Sequence, residues 1–126
     1  MYEISVEKTF SAAHTLDIGS EREQLHGHNF RVEAAVASDG LNADGLVVDF
    51  RVLKRWLSTI LEELDHTFLN DLPPFSDTTP TSEHIARFIY DRLEEDAAPA
   101  GLEVSRVAVW ESEGSKAVYV KNHSAR

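Results

Sequence analysis

"HNFRVEAAVAS", His28 to Ser38, sets His28, Phe30, Val32, Ala34 and Val36 in one alternating register and Asn29, Arg31 and Glu33 in the other. Successive side chains of a strand point to opposite faces, so this stretch reads as a strand with one apolar face that begins at a histidine. Upstream, "YEISVEKTF" (Tyr2–Phe10) alternates Tyr2, Ile4 and Val6 against Glu3, Ser5 and Glu7. Two neighbouring strands joined by a loop pair antiparallel most simply. The end of the first strand then lies beside the start of the second. That juxtaposition brings His14 of "FSAAH" (Phe10–His14) next to His26 and His28 of "LHGHNF" (Leu25–Phe30).

Outward from the hairpin, a Gly- and Asp-containing turn, "SDGLNADG", leads through "LVVDF" into a helix. Asp49 is its expected N-cap, with the carboxylate accepting free N–H groups of the first turn. Val52, Leu53, Trp56, Leu57, Ile60, Leu61 and Leu64 follow helical spacing and form one apolar stripe. Pro73 and Pro74 forbid its continuation. A second helix opens near "TPTSEH", capped by Thr79 or Thr81, and runs through Ile85, Phe88, Ile89 and Leu93. After Gly101, "LEVSRVAVWES" and "KAVYVKN" read as two strands around the turn "SEGS". The order is ββααββ, an α+β domain spanning residues 1–126 with an antiparallel sheet and both helices on one face.

The chain has 126 residues, no cysteine and a formal net charge of −10. Without cysteine there are no disulfides, thiolate metal sites or cysteine nucleophiles, which fits a cytoplasmic protein. The acidity opposes binding to phosphate backbones, and no basic stripe overrides it, so no nucleic-acid partner is expected. No apolar run reaches transmembrane length, and no signal peptide precedes the first strand, so no membrane association is expected.

Three imidazoles converging at one end of a hairpin suit a metal ion, with a fourth position left for water or substrate. His26 and His28 are two residues apart and project to the same side. Gly27 between them is expected to relieve crowding on the opposite face. Three nitrogen ligands favour Zn²⁺, with other divalent metals open. His66 follows Asp65 in "LDHTFLND", where the carboxylate can orient the imidazole and stabilise its charged form for proton transfer. A histidine at a helix C-terminus also meets the dipole favourably, and spacing does not separate the two roles. His84 reads as a surface residue, and His123 is assigned no role.

Taken together and in this order, "FSAAH", "LHGHNF", "LDHTFLND", "PTSEH" and "VWES" resemble the family of 6-pyruvoyltetrahydropterin synthase and 6-carboxytetrahydropterin synthase. The resemblance implies the tunnelling fold (T-fold), built on a four-stranded antiparallel sheet. It implies a homo-oligomer, typically a hexamer of two trimers, with active sites at subunit interfaces. It further implies zinc ligands at His14, His26 and His28 and a catalytic pair at Asp65 and His66. A pterin-anchoring glutamate falls at Glu111, with Thr81, Ser82 and Glu83 near that pocket. A carboxylate can accept two parallel hydrogen bonds from a guanidine-like ring edge, as such an anchor must. The implied substrate is 7,8-dihydroneopterin triphosphate.

Both named synthases carry a cysteine base shortly before H-G-H, where this chain reads "SEREQLHGH". Glu21 and Glu23 are the replacements at hand, since Arg22 is always protonated. Glu23 produces E-x-x-H-G-H, which resembles the type III branch of the family. That branch implies retro-aldol cleavage of the side chain to 6-hydroxymethyl-7,8-dihydropterin for folate synthesis. The alternative is a 6-carboxy-5,6,7,8-tetrahydropterin synthase of the deazapurine (queuosine) pathway using another base. A non-catalytic pterin-binding relative is the third reading.

Overall fold

The computed structural model describes residues 1–18, 21–22 and 25–121. Its frame is the hairpin expected from the alternation. β1 (Tyr2–His14) is followed by the two-residue strands β2 (Asp17–Ile18) and β3 (Glu21–Arg22), which pair with each other, and then by β4 (His26–Ser38). β1 and β4 pair antiparallel along their whole lengths, from Tyr2 opposite Ser38 to His14 opposite His26. Phe10, Phe30, Val32, Ala34 and Val36 are buried on the shared apolar face, where Phe10 and Phe30 stack with centroids 4.9 Å apart.

α1 (Phe50–Glu62) starts where Asp49 accepts the Arg51 N–H, and it buries Leu53, Leu57, Ile60 and Leu61. Leu64, just past its end, is fully buried, whereas Val52 and Trp56 flank the stripe half-buried. The chain then forms β5 (Thr67–Phe68) and two single turns of 3-10 helix at Leu69–Asp71 and Pro73–Phe75. α2 (Ser82–Ala97) is capped by Thr81, not Thr79: the Thr81 hydroxyl accepts the His84 N–H at 3.1 Å. Gly101, at φ +77°, takes the left-handed turn that returns the chain to the sheet. β6 (Glu103–Ser112) and β7 (Ser115–Tyr119) form the closing hairpin.

The main sheet is mixed and five-stranded, in the order β5-β1-β4-β6-β7, rather than four-stranded and antiparallel as expected. The extra strand, β5, runs parallel to β1, with Thr67 opposite Ala12 and Phe68 opposite Ala13. Its cause lies in the residues before it. The Asp65 carboxylate accepts the Ser11 N–H at 2.8 Å, and the His66 N–H donates to the Ser11 carbonyl at 2.6 Å. These bonds lay the following two residues along β1. A two-residue bridge has no alternation to read.

Both helices cover one face of the sheet, as expected. The other face carries charge: Arg106 donates to Glu33 at 2.6 Å and to Glu3 at 3.4 Å, and Ser5 donates to Glu33 at 3.0 Å. The Arg106 hydrogen bond holds the Glu33 carboxyl below its usual range. Among the described residues no helix is long and apolar enough to cross a membrane.

Candidate metal centre

The full-length register of β1 on β4 does what the sequence requires of it: His14 pairs across from His26, and Ala12 from His28. The three rings lie edge to face, with centroids 4.7 Å (His14–His26), 5.3 Å (His14–His28) and 4.5 Å (His26–His28) apart. Phe30 underlies them, 5.4 Å from His14 and 5.5 Å from His28. His14 is fully buried, and its Nδ1 lies 2.8 Å from the Pro80 carbonyl. A carbonyl only accepts, so Nδ1 carries the proton and Nε2 presents its lone pair to the cluster. Gly27 behaves differently from expectation: a Cβ there would meet only the Ala12 carbonyl at 3.8 Å, an ordinary contact, so crowding within the chain does not require glycine.

A fourth group completes the cluster. Glu111 Oε1 lies 3.0 Å from His28 Nε2, 3.6 Å from His26 Nε2 and 3.9 Å from His14 Nε2. All four donor atoms fall within 4.8 Å of one another, the one such group of metal-ligating side chains among the described residues. Tetrahedral ligands at metal bonds of 2.0–2.1 Å stand about 3.3 Å apart, so the spacing fits a small divalent ion. His14 Nε2 points the same way, because it is buried with no hydrogen-bond partner among the described residues. A buried lone pair left so is costly, and a bound cation removes the cost. The residues therefore fit a metal.

Glu111 reaches the histidines from an irregular position. Trp110 pairs with Lys116 and Ser112 with Ser115, so Glu111 is the extra residue of a β-bulge, a device that re-aims a side chain. Its other oxygen, Oε2, lies 3.4 Å from Ser82 Oγ. Beside it opens a cavity of about 370 Å³ lined by His28, Ser82, Glu83, Glu111, Ser115 and Lys116, among others. The structure thus brings Ser82 and Glu83, at the start of α2, to the cavity that Glu111 borders. Thr81 is spent on capping that helix.

Asp65 and His66 stand elsewhere. His66 Nδ1 is 3.0 Å from Asp65 Oδ2, and its side chain is 82% exposed. It lines a groove with Ser11, Ala13, Gly27 and Asn29 that reaches the metal cluster only at His28, the one residue this groove shares with the cavity of Glu111. The Ser11 N–H, and after it His66, hold the Asp65 carboxyl below its ordinary pKa. His66 adopts φ +58°, an uncommon conformation outside glycine, held there by its N–H bond to Ser11. The pair exists as expected, but within one chain it does not line the cavity of Glu111. Glu23, the expected base, lies outside the described residues, as does His123.

Sequence reasoning missed three supports. The Pro80 carbonyl orients His14, and backbone acceptors leave no trace in residue type. Asn70 clamps the chain just beyond His14, accepting the Thr15 N–H and donating to the Thr15 carbonyl, both at 2.9 Å. Glu111 was expected beside a pterin, not within reach of the histidines; the bulge that aims it is a pairing property.

Comparison with known proteins accords with this arrangement. The profile of the 6-pyruvoyl tetrahydropterin synthase family matches residues 3–122. The chain is 42% identical over 105 residues to a 6-carboxy-5,6,7,8-tetrahydropterin synthase of Synechocystis, covering 79% of this chain and 80% of that one. It is 37% identical over 103 residues to a dihydroneopterin monophosphate aldolase of Pyrococcus furiosus, covering 82% and 83%. The fold superposes on the crystal structure of a 6-pyruvoyl tetrahydropterin synthase from Plasmodium vivax with a TM-score of 0.80 at 25% identity, over 96% of this chain and 98% of that one.

Proposed function

This chain belongs to the 6-pyruvoyl tetrahydropterin synthase family, and on that footing we propose that it is a zinc-dependent lyase converting 7,8-dihydroneopterin triphosphate into 6-carboxy-5,6,7,8-tetrahydropterin. The observation that carries the reading is the convergence of His14, His26 and His28 on one point at the edge of a cavity bordered by Glu111 and Ser82. The Synechocystis relative, at 42% identity, supports this product over the hydroxymethyl product expected from the E-x-x-H-G-H motif.

In this reading the Glu111 carboxylate accepts two parallel hydrogen bonds from the amino-pyrimidine edge of the pterin. Ser82 and Glu83 shape the cavity around the ring. His14, His26 and His28 would hold Zn²⁺, which would supply Lewis acidity toward the hydroxyls of the substrate side chain. Glu23 takes up a proton from the substrate side chain, standing in for the cysteine that the chain lacks. Asp65 holds His66 in orientation and stabilises its charged form while it passes protons. Because neither Asp65 nor His66 lines the cavity of Glu111 within one chain, the relay serves an assembly in which copies share sites, the hexamer implied by the resemblance.

A second reading is retro-aldol cleavage to 6-hydroxymethyl-7,8-dihydropterin. Two observations favour it: no cysteine in the chain, and an aldolase among the relatives. The zinc-loaded protein incubated with 7,8-dihydroneopterin triphosphate, and separately with the monophosphate, decides between them by mass spectrometry of the pterin. A 6-carboxy product released with acetaldehyde upholds the first reading; a 6-hydroxymethyl product replaces it with the second.

A further inference from the structure

We propose that Glu111 is a removable fourth metal ligand: in the substrate-free protein its Oε1 closes the coordination of His14, His26 and His28, and a pterin ring entering the neighbouring cavity draws the carboxylate away and opens that position. The inference rests on the pterin reading for its second half only; the first half stands on the cluster itself.

Distances of 3.0, 3.6 and 3.9 Å from Oε1 to the three Nε2 atoms bracket the edge of a tetrahedral site, about 3.3 Å for short metal–nitrogen bonds. Three imidazoles and one carboxylate make a closed set, and a closed set is the mark of a structural site rather than a catalytic one. A lyase of this design must therefore open a position when substrate arrives. Glu111 is the one ligand built to leave. The histidines sit on the longest ladder of the sheet, with His14 further held through Pro80. Glu111 instead occupies a bulge, and the pairing of β6 with β4 ends at Trp110, one residue short of it. Its side chain is 31% exposed, and among the described residues its second oxygen has the long 3.4 Å contact with Ser82. The same carboxylate cannot chelate a ring edge with both oxygens and keep Oε1 on the metal. Ring binding and opening of the metal are thereby coupled through a single side chain, and the coupling is reciprocal.

The test uses Co²⁺ in place of Zn²⁺, because cobalt d–d bands report coordination without turnover. The probe is 6-methylpterin, a ring with no side-chain hydroxyls to bind the metal. The free wild-type protein should give a four-coordinate spectrum that differs from that of Glu111→Gln. Metal affinity should fall at least about tenfold in the variant, since loss of an outer-shell partner alone costs 10–100-fold. Saturation with 6-methylpterin should shift the wild-type bands and leave those of the variant in place. Identical wild-type and variant spectra overturn the ligand assignment. Ring binding, seen by calorimetry, with no change in the wild-type bands overturns the release. Failure of the loaded wild-type protein to bind the ring at all overturns the pterin reading and the release with it, while the ligand assignment stands or falls on the first comparison. Should Glu111→Gln not fold, the wild-type protein alone decides: metal loading should shift an antisymmetric carboxylate stretch in the infrared difference spectrum, and an unchanged carboxylate region overturns the assignment.

Discussion

Asp65 is held by two donors of different origin, the Ser11 amide and the His66 ring. Both favour the ionised carboxyl, so its pKa lies below the ordinary 3.8. The sign follows: these interactions are intact above the unfolded value of about 3.9 and are lost as pH falls through the lower folded one. Carboxyl ¹³C NMR should accordingly give Asp65 a midpoint below 3.8, and a midpoint at or above that value would show the Ser11 bond absent in solution. At neutral pH the carboxylate is therefore charged and able to orient His66. Glu23 makes a complementary prediction. Glu23→Gln should cut turnover by about 10²–10⁴, the usual contribution of a positioned base, with metal content unchanged; full turnover in the variant would remove it from the mechanism. At this scale the residue types of the metal cluster were legible, because imidazoles in a short span have few other uses. The carbonyl of Pro80 and the clamp of Asn70 were not, because one is a backbone acceptor and the other a side-chain amide that meets the backbone of Thr15, 55 residues away in sequence.

The N-terminus of α2 ties helix stability to the site. Thr81 caps it, Pro80 just before the cap orients His14, and Ser82 just after it contacts Glu111. Thr81→Ala removes the acceptor of the His84 N–H and should cost about 1 kcal/mol in urea denaturation, within the 0.5–2 kcal/mol range of lost caps. Because the frayed turn carries Pro80, metal affinity measured by chelator competition should weaken in the same variant. An unchanged affinity beside a lowered urea midpoint would uncouple the helix end from the cluster. Both helices were legible from their apolar spacing and caps, as were the four long strands from alternation and turns. β5 and the bulge at Glu111 were not. Each is one or two residues long: β5 is created by pairing with β1, far away in sequence, and the bulge by the register in which β7 closes on β6.

Across the whole molecule, 22 acidic residues face 12 basic ones, and the net charge of −10 repels itself in the compact state. The exposed pairs that oppose this repulsion, Lys121 with Glu94 and Arg92 with Glu63, are surface ion pairs that solvent and salt screen. Raising salt from about 0.1 M to about 1 M shortens the screening length from about 10 Å to about 3 Å and should relieve more repulsion than it costs in attraction. The urea midpoint of the metal-free protein should therefore rise with sodium chloride, and a fall would mean that the attractive pairs outweigh the net charge. The sequence by itself determined the hairpin, the two helices, the absence of thiol chemistry and the identity of the three imidazoles. Periodicity, capping and side-chain chemistry are local properties, readable a few residues at a time. Only the tertiary structure decided that Glu111 stands within reach of the histidines, that Pro80 sets the tautomer of His14, and that neither Asp65 nor His66 lines the cavity of Glu111. Those facts depend on which distant strands and loops meet, and in what register, and contacts of that kind are specified by the packing of the whole chain.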